Sequence, residues 1–311
     1  MSTTDETTDR RAPIDFTYRF QPDDPKPFFI PRDWEDASVY LQGGNHLIVR
    51  FYEACRRGAY KPGSRPPIVE ISASEATGLP VGDDGLPVQM PFAVVLGCSD
   101  ARVPTELLFG QEFNDIFNIR VAGNVLAEEG VGSLLYALRS FVPESAHPGG
   151  RSLKLAAVLG HRGCGAVKAT VKAFQSGPTA ASIFGDPIGS IVTKIAAPAL
   201  ALASELLDES YGAGSSSDPR FLSCLVEMIV YLNAAWGARE VREWVDGEGP
   251  EIASRVGVVY GVFDPEDWRV RSRPATSEDP APETFAAPPK DLEGLRAFGR
   301  EVLARLRPPG S

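Results

Sequence analysis

The chain reads as an α/β fold: a mainly parallel central β-sheet flanked by helices, with an N-terminal arm and a C-terminal extension. Three observations predict it. Short apolar runs alternate with stretches of helical spacing, which is the pattern of a mainly parallel sheet. Two of those runs, Val94-Val95-Leu96-Gly97 and Leu155-Ala156-Ala157-Val158-Leu159-Gly160, end in a glycine and pass straight into reactive polar side chains. Open α/β sheets place their sites at such strand ends. With 311 residues, 43% of them hydrophobic, the chain can build one large α/β core or two small ones.

Composition narrows the function classes. There are 41 acidic against 31 basic residues, a net charge of -10, which argues against nucleic acid or an anionic membrane as partner. No apolar run comes near the ~20 residues of a membrane helix. Residues 1–11 are polar and charged with no apolar signal core, so the expected compartment is the cytoplasm. The four cysteines are Cys55, Cys98, Cys164 and Cys224. Without an export signal they read as metal ligands or buried thiols rather than disulfides. Cys55 and Cys224 sit in helical apolar sequence and read as core thiols.

In order, residues 1–33 form an arm broken by Pro13, Pro22, Pro25, Pro27 and Pro31. Within it Phe28-Phe29-Ile30 is apolar enough to dock. A helix spans 34–57, interrupted at Gly43-Gly44-Asn45-His46. Residues 58–90 are rich in Gly, Pro and Asp and read as an extended surface excursion with a turn at 81–85. The first strand is 92–96, followed by a helical turn at Pro104-Thr105-Glu106. The second strand, 115–121, exits into Ala122-Gly123-Asn124. A helix at 132–141 carries Leu134, Leu135 and Leu138 on one face, and 143–150 is a loop. The third strand is 153–159, and a helix over 165–175 follows the Cys164 turn. An Ala-rich helix spans 187–207, and 212–217 is a loop. Asp218-Pro219 starts a helix running to about 245, with a cap residue followed by proline at the first helical position. Residues 254–263 form a late strand. Residues 271–290, with Pro274, Pro280, Pro282, Pro288 and Pro289, read as a linker. Residues 292–306 carry an apolar stripe at Leu292, Leu295, Phe298, Val302 and Leu306, the mark of a docking helix. The expected organisation is an arm at 1–33, a metal-binding domain at 34–270, and a linker with docking helix at 271–311.

Cys98, His161 and Cys164 carry the chemistry. Two thiolates and an imidazole suit Zn(II), one per chain. Three protein ligands leave a fourth tetrahedral position for water, the catalytic rather than the structural arrangement. Zinc lowers the pKa of bound water from ~15.7 towards ~7. Asp100 is placed to accept a hydrogen bond from that hydroxide, and Arg102 to hold Asp100 as a charge-assisted pair. The plainer alternative for the two is a salt bridge at a strand end. Gly160-His161-Arg162-Gly163-Cys164-Gly165 lacks the spacing of a dinucleotide fingerprint.

Cys98-Ser99-Asp100-Ala101-Arg102 paired with His161-Arg162-Gly163-Cys164-Gly165 resembles the β-class carbonic anhydrases. The likeness spans roughly residues 34–265. It takes in Gly44-Asn45, the exit Ile119-Arg120-Val121-Ala122-Gly123-Asn124 and the strand at 254–263. The resemblance implies that Cys98, His161 and Cys164 bind zinc and that Asp100 and Arg102 form a dyad beside zinc-bound hydroxide. It also implies that Gln89 contacts substrate, that Phe117 and Ala122 line an apolar CO2 pocket, and that Tyr136 is a pocket tyrosine. In the family the Gln, Phe and Tyr come from the partner subunit, so a homodimer or higher even homo-oligomer with shared active sites is implied. On the residues alone, Gln89 is a loop-end glutamine, Phe117 and Ala122 are packing positions, and Tyr136 lies on a helix face.

Some positions depart from the family pattern. The connection between 132 and 161 is long, and 73–88 reads as an insertion. Val95 stands where a bicarbonate-regulated subset has tryptophan, so the open form of the site is expected. Arg162 replaces a commonly small residue and reads as solvated, with contact to bicarbonate at the rim as the alternative. His46 and His147 read as surface histidines, with proton shuttling as the alternative. The function expected is zinc-dependent reversible hydration of CO2 to bicarbonate and a proton. The alternatives are hydrolysis of carbonyl sulfide or carbon disulfide at the same site, and a non-catalytic bicarbonate-binding or scaffold protein. A nucleotide-binding α/β protein with an incidental cluster is disfavoured by the missing fingerprint. The arm and the tail are candidate surfaces for a protein partner.

Overall fold

A computed structural model describes residues 17–18, 29–57, 68–69, 84–86, 88–142, 151–175, 187–280 and 282–306. Most of the arm, most of the excursion at 58–83 and the loop at 143–150 lie outside them. The central sheet has five strands: β1 (Ala93–Gly97), β2 (Ile116–Arg120), β3 (Leu155–His161), β4 (Gly257–Phe263) and β5 (Val270–Arg271). Their order is β2-β1-β3-β4-β5. The first three pairings are parallel and β4–β5 is antiparallel. Separately, Thr17–Tyr18 pairs in parallel with Ile68–Val69.

Every residue of β1, β3 and β4 is buried, as continuous apolar runs require when both faces of a parallel sheet are covered. Alternation divides them between two cores. Val94, Leu96, Ala156 and Val158 face one; Ala93, Val95, Leu155 and Ala157 face the other. The first core is organised by a long helix. The nine helices named here are α1 (Trp34–Arg56), α2 (Thr105–Leu108), α3 (Glu128–Phe141), α4 (Gly165–Gln175), α5 (Pro187–Ile195), α6 (Ala201–Tyr211), α7 (Leu222–Gly247), α8 (Pro250–Arg255) and α9 (Leu292–Leu306). Helix α7 lies across β3 and β4. Gly160 lets it approach: a Cβ there would come 3.1 Å from the Cβ of Ala234. Asp218 leads into it, accepting the Arg220 N–H at 2.8 Å, with Pro219 next in line.

Several expectations are corrected. Helix α1 is unbroken, because Gly44 is a close-approach residue: a Cβ there would sit 1.7 Å from the Phe109 carbonyl oxygen. Asn45 beside it donates to the Leu108 and Trp268 carbonyls at 3.0 Å and accepts from the Val270 N–H. The Ala-rich stretch is two helices, α5 and α6, joined by a π segment at Ala196–Leu200. Pro198 has no N–H to donate, and Ala197 before it leaves helical geometry at φ -119, ψ 115. Strand β4 starts at Gly257 rather than 254, because Pro250–Arg255 form helix α8, with proline opening its first turn. Helices Pro187–Tyr211 and Pro219–Gly247 are long and apolar enough to span a bilayer. In the second, 83% of the apolar window is buried inside the protein, so its apolarity serves the core.

The proline-rich stretch after β5 is packed rather than a linker. Ser272 N–H donates to the Glu283 carbonyl at 2.7 Å, and Tyr260 and Ala286 exchange backbone bonds at 2.9 and 3.1 Å. Its own Phe285 is buried. Helix α9 docks on its own chain, with Leu292 of the expected stripe left exposed and Phe298 and Leu306 half-buried. Leu295, Val302 and Leu303 are buried, and Gly299 faces Leu206 and Leu232.

Candidate metal centre

The register decides what meets at the sheet's C-terminal edge. Gly97 of β1 pairs with Leu159 of β3, so Cys98 and His161 leave the sheet side by side. A tight turn then brings Cys164 back to the first turn of α4, with Gly163 in the left-handed region at φ 68. The two sulfurs and a ring nitrogen lie within 4.8 Å of one another, and all three residues are buried.

Two features of this cluster fit a metal ion. His161 Nδ1 lies 3.1 Å from the Arg162 carbonyl, which suits an Nδ1–H donor and leaves a lone pair on Nε2. That Nε2 is buried without a hydrogen-bond partner. A buried polar atom left bare is costly, and a ligated cation satisfies it. The thiols point the same way. Cys98 is drawn down to about 4, first by the hydrogen bond from Cys164, then by His161 and the Asp100 and Gly123 N–H groups, against the cost of burial. The Gly123 N–H is 3.2 Å from Cys98 Sγ. Cys164 is pushed up by that same bond to Cys98 and by burial. A metal takes thiolates as ligands, so a cation binding here would release thiol protons.

Asp100 and Arg102 form a two-pronged pair. Arg102 Nε donates to Oδ1 at 3.0 Å and Nη2 to Oδ2 at 2.7 Å, while its backbone N–H also reaches Oδ1 at 2.9 Å. The Arg102 side chain holds the Asp100 carboxyl well below the usual carboxylate range. Asp100 Oδ2 is 3.8 Å from His161 Nε2, so the pair borders the ligands. Arg102 Nη2 also reaches the Gly163 carbonyl at 3.4 Å.

Three residues support the centre in roles that the sequence did not assign to them. Arg120 grips the carbonyls of Cys98 and Asp100 at 3.1 and 2.7 Å. Asn233 of α7 donates to the Gly123 carbonyl at 2.8 Å; a lone amide in an otherwise apolar helix face was its signal. Arg162, expected to be solvated, is instead paired with Glu227 and Asp264.

Of the pocket residues, only Ala122 is near the centre, directly before Gly123. Phe117 pairs with Val94, four residues back from Cys98, or about 13 Å along the strand. It packs against Tyr136 and Phe141 with ring centroids 6.1 and 5.7 Å away, and Tyr136 is 55% exposed. Gln89 is exposed and precedes β1, at the sheet end opposite Cys98. One chain therefore does not bring Gln89, Phe117 or Tyr136 to its own centre. His46 is exposed on α1, and His147 lies outside the described residues. Cys224 is a buried thiol, raised to about 11 by burial; the Cys55 side chain lies outside the described set.

A family profile described as carbonic anhydrase matches residues 93–212. A carbonic anhydrase of Mycolicibacterium smegmatis is 37% identical over 107 residues, covering 34% of this chain and 47% of that protein. Carbonic anhydrase 2 of Mycobacterium tuberculosis is 33% identical over 132 residues, covering 42% and 54%. The chain thus spans about half the length of the curated relatives it matches. Among solved structures, the β-carbonic anhydrase CafA of Aspergillus fumigatus aligns with a TM-score of 0.42 at 18% identity, over 69% of this chain and 84% of that one. One of two tetrameric β-carbonic anhydrases from Sordaria macrospora aligns at 0.40 and 19% identity, over 59% and 81%.

Proposed function

We propose that this chain, whose residues 93–212 match the carbonic anhydrase family profile, interconverts CO2 and bicarbonate at a zinc site held by Cys98, His161 and Cys164. The observation that carries the reading is the buried Cys-His-Cys cluster with its partnerless Nε2, bordered by the Asp100–Arg102 pair. When bound, zinc supplies Lewis acidity and lowers the pKa of coordinated water from ~15.7 towards ~7.

The chain's own groups do the rest. Asp100 is anionic and fixed by three bonds from Arg102, so it is a rigid acceptor for the O–H of the attacking nucleophile. Accepting that hydrogen bond turns an oxygen lone pair towards the CO2 carbon. Arg102 stays paired throughout and keeps Asp100 from swinging towards the ligands. The Gly123 N–H and the Arg120 bonds fix the Cys98 backbone and thiolate. Ala122 offers apolar surface beside the centre, which suits an uncharged substrate.

Gln89, Phe117 and Tyr136 act in trans in this reading. A second copy supplies an amide donor for the oxygen that gains charge, and aromatic walls that keep water out. The smallest competent unit is then a homodimer.

Stopped-flow CO2 hydration at pH ~8.5, with zinc measured on the same sample, tests the reading. About one zinc per chain and fast turnover that a chelator abolishes are expected. Folded protein with zinc and no turnover would overturn the activity, and folded protein that takes up no zinc would overturn the site.

A further inference from the structure

We propose that Arg162 is a positioning residue for His161: it clamps the ligand-bearing turn to α7 and to the end of β4, and so aims Nε2 at the metal position. The inference rests on the zinc reading above.

The argument runs through one carbonyl. The Arg162 carbonyl facing Nδ1 at 3.1 Å favours the Nδ1–H tautomer of the imidazole. That carbonyl belongs to a peptide followed by Gly163 at φ 68, the most pliable residue of the turn. Left alone, this peptide could rotate and release the ring. Arg162 prevents it from three directions. Its N–H donates to the Phe263 carbonyl at 2.9 Å. Its Nε donates to Glu227 Oε2 at 2.9 Å and its Nη1 to Asp264 Oδ2 at 2.7 Å.

The clamp differs from an ordinary surface pair. The side chains of Glu227 and Asp264 are only 13% and 14% exposed. They sit on α7 and just past β4, the two elements packed on or paired with β3. The guanidinium's planar fork lets one side chain hold two carboxylates on different elements, which a lysine ammonium does less well. The ion pair is thereby coupled to a ligand's tautomer, where partners of ligating histidines commonly govern affinity.

The test compares Arg162→Ala, Arg162→Lys, Glu227→Gln and Asp264→Asn with the parent, all as full chains. Three readouts are taken: zinc affinity by competition with a chromophoric chelator, the visible spectrum of the Co(II)-substituted protein, and the nitrogen tautomer of His161 by long-range 15N NMR. The chain has three histidines, so the NMR signals are few. The parent should bind one zinc with His161 protonated at Nδ1. Arg162→Ala should lose about 10–100-fold in zinc affinity and shift the Co(II) bands. Arg162→Lys should recover part of both, and the two carboxylate variants should move both by less.

A folded Arg162→Ala with parental affinity and spectrum would overturn the clamp. If that variant does not fold, Glu227→Gln and Asp264→Asn decide, and parental behaviour in both would overturn it equally. Zinc on the parent with His161 protonated at Nε2 would overturn the clamp while leaving the zinc site standing. A parent that takes up no zinc would overturn the site and the clamp together.

Discussion

The two strand exits that build the centre are held in opposite ways. After β1, Cys98-Ser99-Asp100-Ala101-Arg102 contains its own ion pair, two residues apart. After β3, His161-Arg162-Gly163-Cys164 leans on partners 65 and 102 residues away. The ion pair of the first exit is local, with Arg120 of β2 holding the Cys98 and Asp100 carbonyls behind it; that of the second is tertiary. A local pair depends on residues close in the chain, whereas a tertiary one depends on the body around it. That contrast makes the two exits fail differently when cut.

The largest effect is expected at the metal itself. Cys164→Ala should take bound zinc from about one per chain to none, read by metal analysis of folded protein. Next comes the local exit. Asp100→Asn should keep its zinc and lose about 10²–10⁴-fold in turnover, because an amide presents a donor where a fixed acceptor is needed. Full turnover in that variant would dissolve the distinction between ligand and orienting group.

The tertiary exit is best probed from behind. Phe285 belongs to the segment that covers β4 and anchors it in the core on the α1 side of the sheet. Phe285→Ala should cost about 3–5 kcal/mol in denaturant unfolding. A loss below about 1 kcal/mol would mean that this segment is not part of the body that steadies the second exit. Gly123→Ala touches both exits. Its φ is 70 and a Cβ would come 2.7 Å from Ile195 Cδ1, so about 1–3 kcal/mol should be lost. The smallest effect is at Arg220, which pairs with Asp218 at the same two-residue spacing as Arg102 with Asp100. Arg220→Ala should leave the melting temperature and turnover unchanged within error. A drop in turnover there would show that the spacing alone, and not the place beside the ligands, matters.

What could be read from sequence follows the same division. The strand exits, the three ligands and the dyad are patterns within a few residues, and helix Gly165–Gln175 was legible to its ends. Arg162 was not, because nothing near it in the chain offers a counter-charge. Gly43-Gly44 looked like a break because glycine weakens helices in isolation; the Phe109 carbonyl that occupies the space is 65 residues on. The prolines at 271–290 pointed to a linker because proline lacks a donor. The bonds that hold the segment run from Ser272 to Glu283 and between Tyr260 and Ala286, pairings no local rule supplies. Gln89, Phe117 and Tyr136 came from family resemblance alone, and a single chain leaves them apart from the cluster.

The cover laid over β4 by β5 and Ala286 also limits how this protein can grow. A twisted sheet offers two flanks to a passing strand, and an open flank invites end-to-end pairing. Here one flank is already occupied by the chain's own tail, and among the described residues no strand pairs with the outer side of β2. On the covered side the edge passes to β5, which is only two residues long, and so short an edge offers a passing strand few backbone groups to pair with.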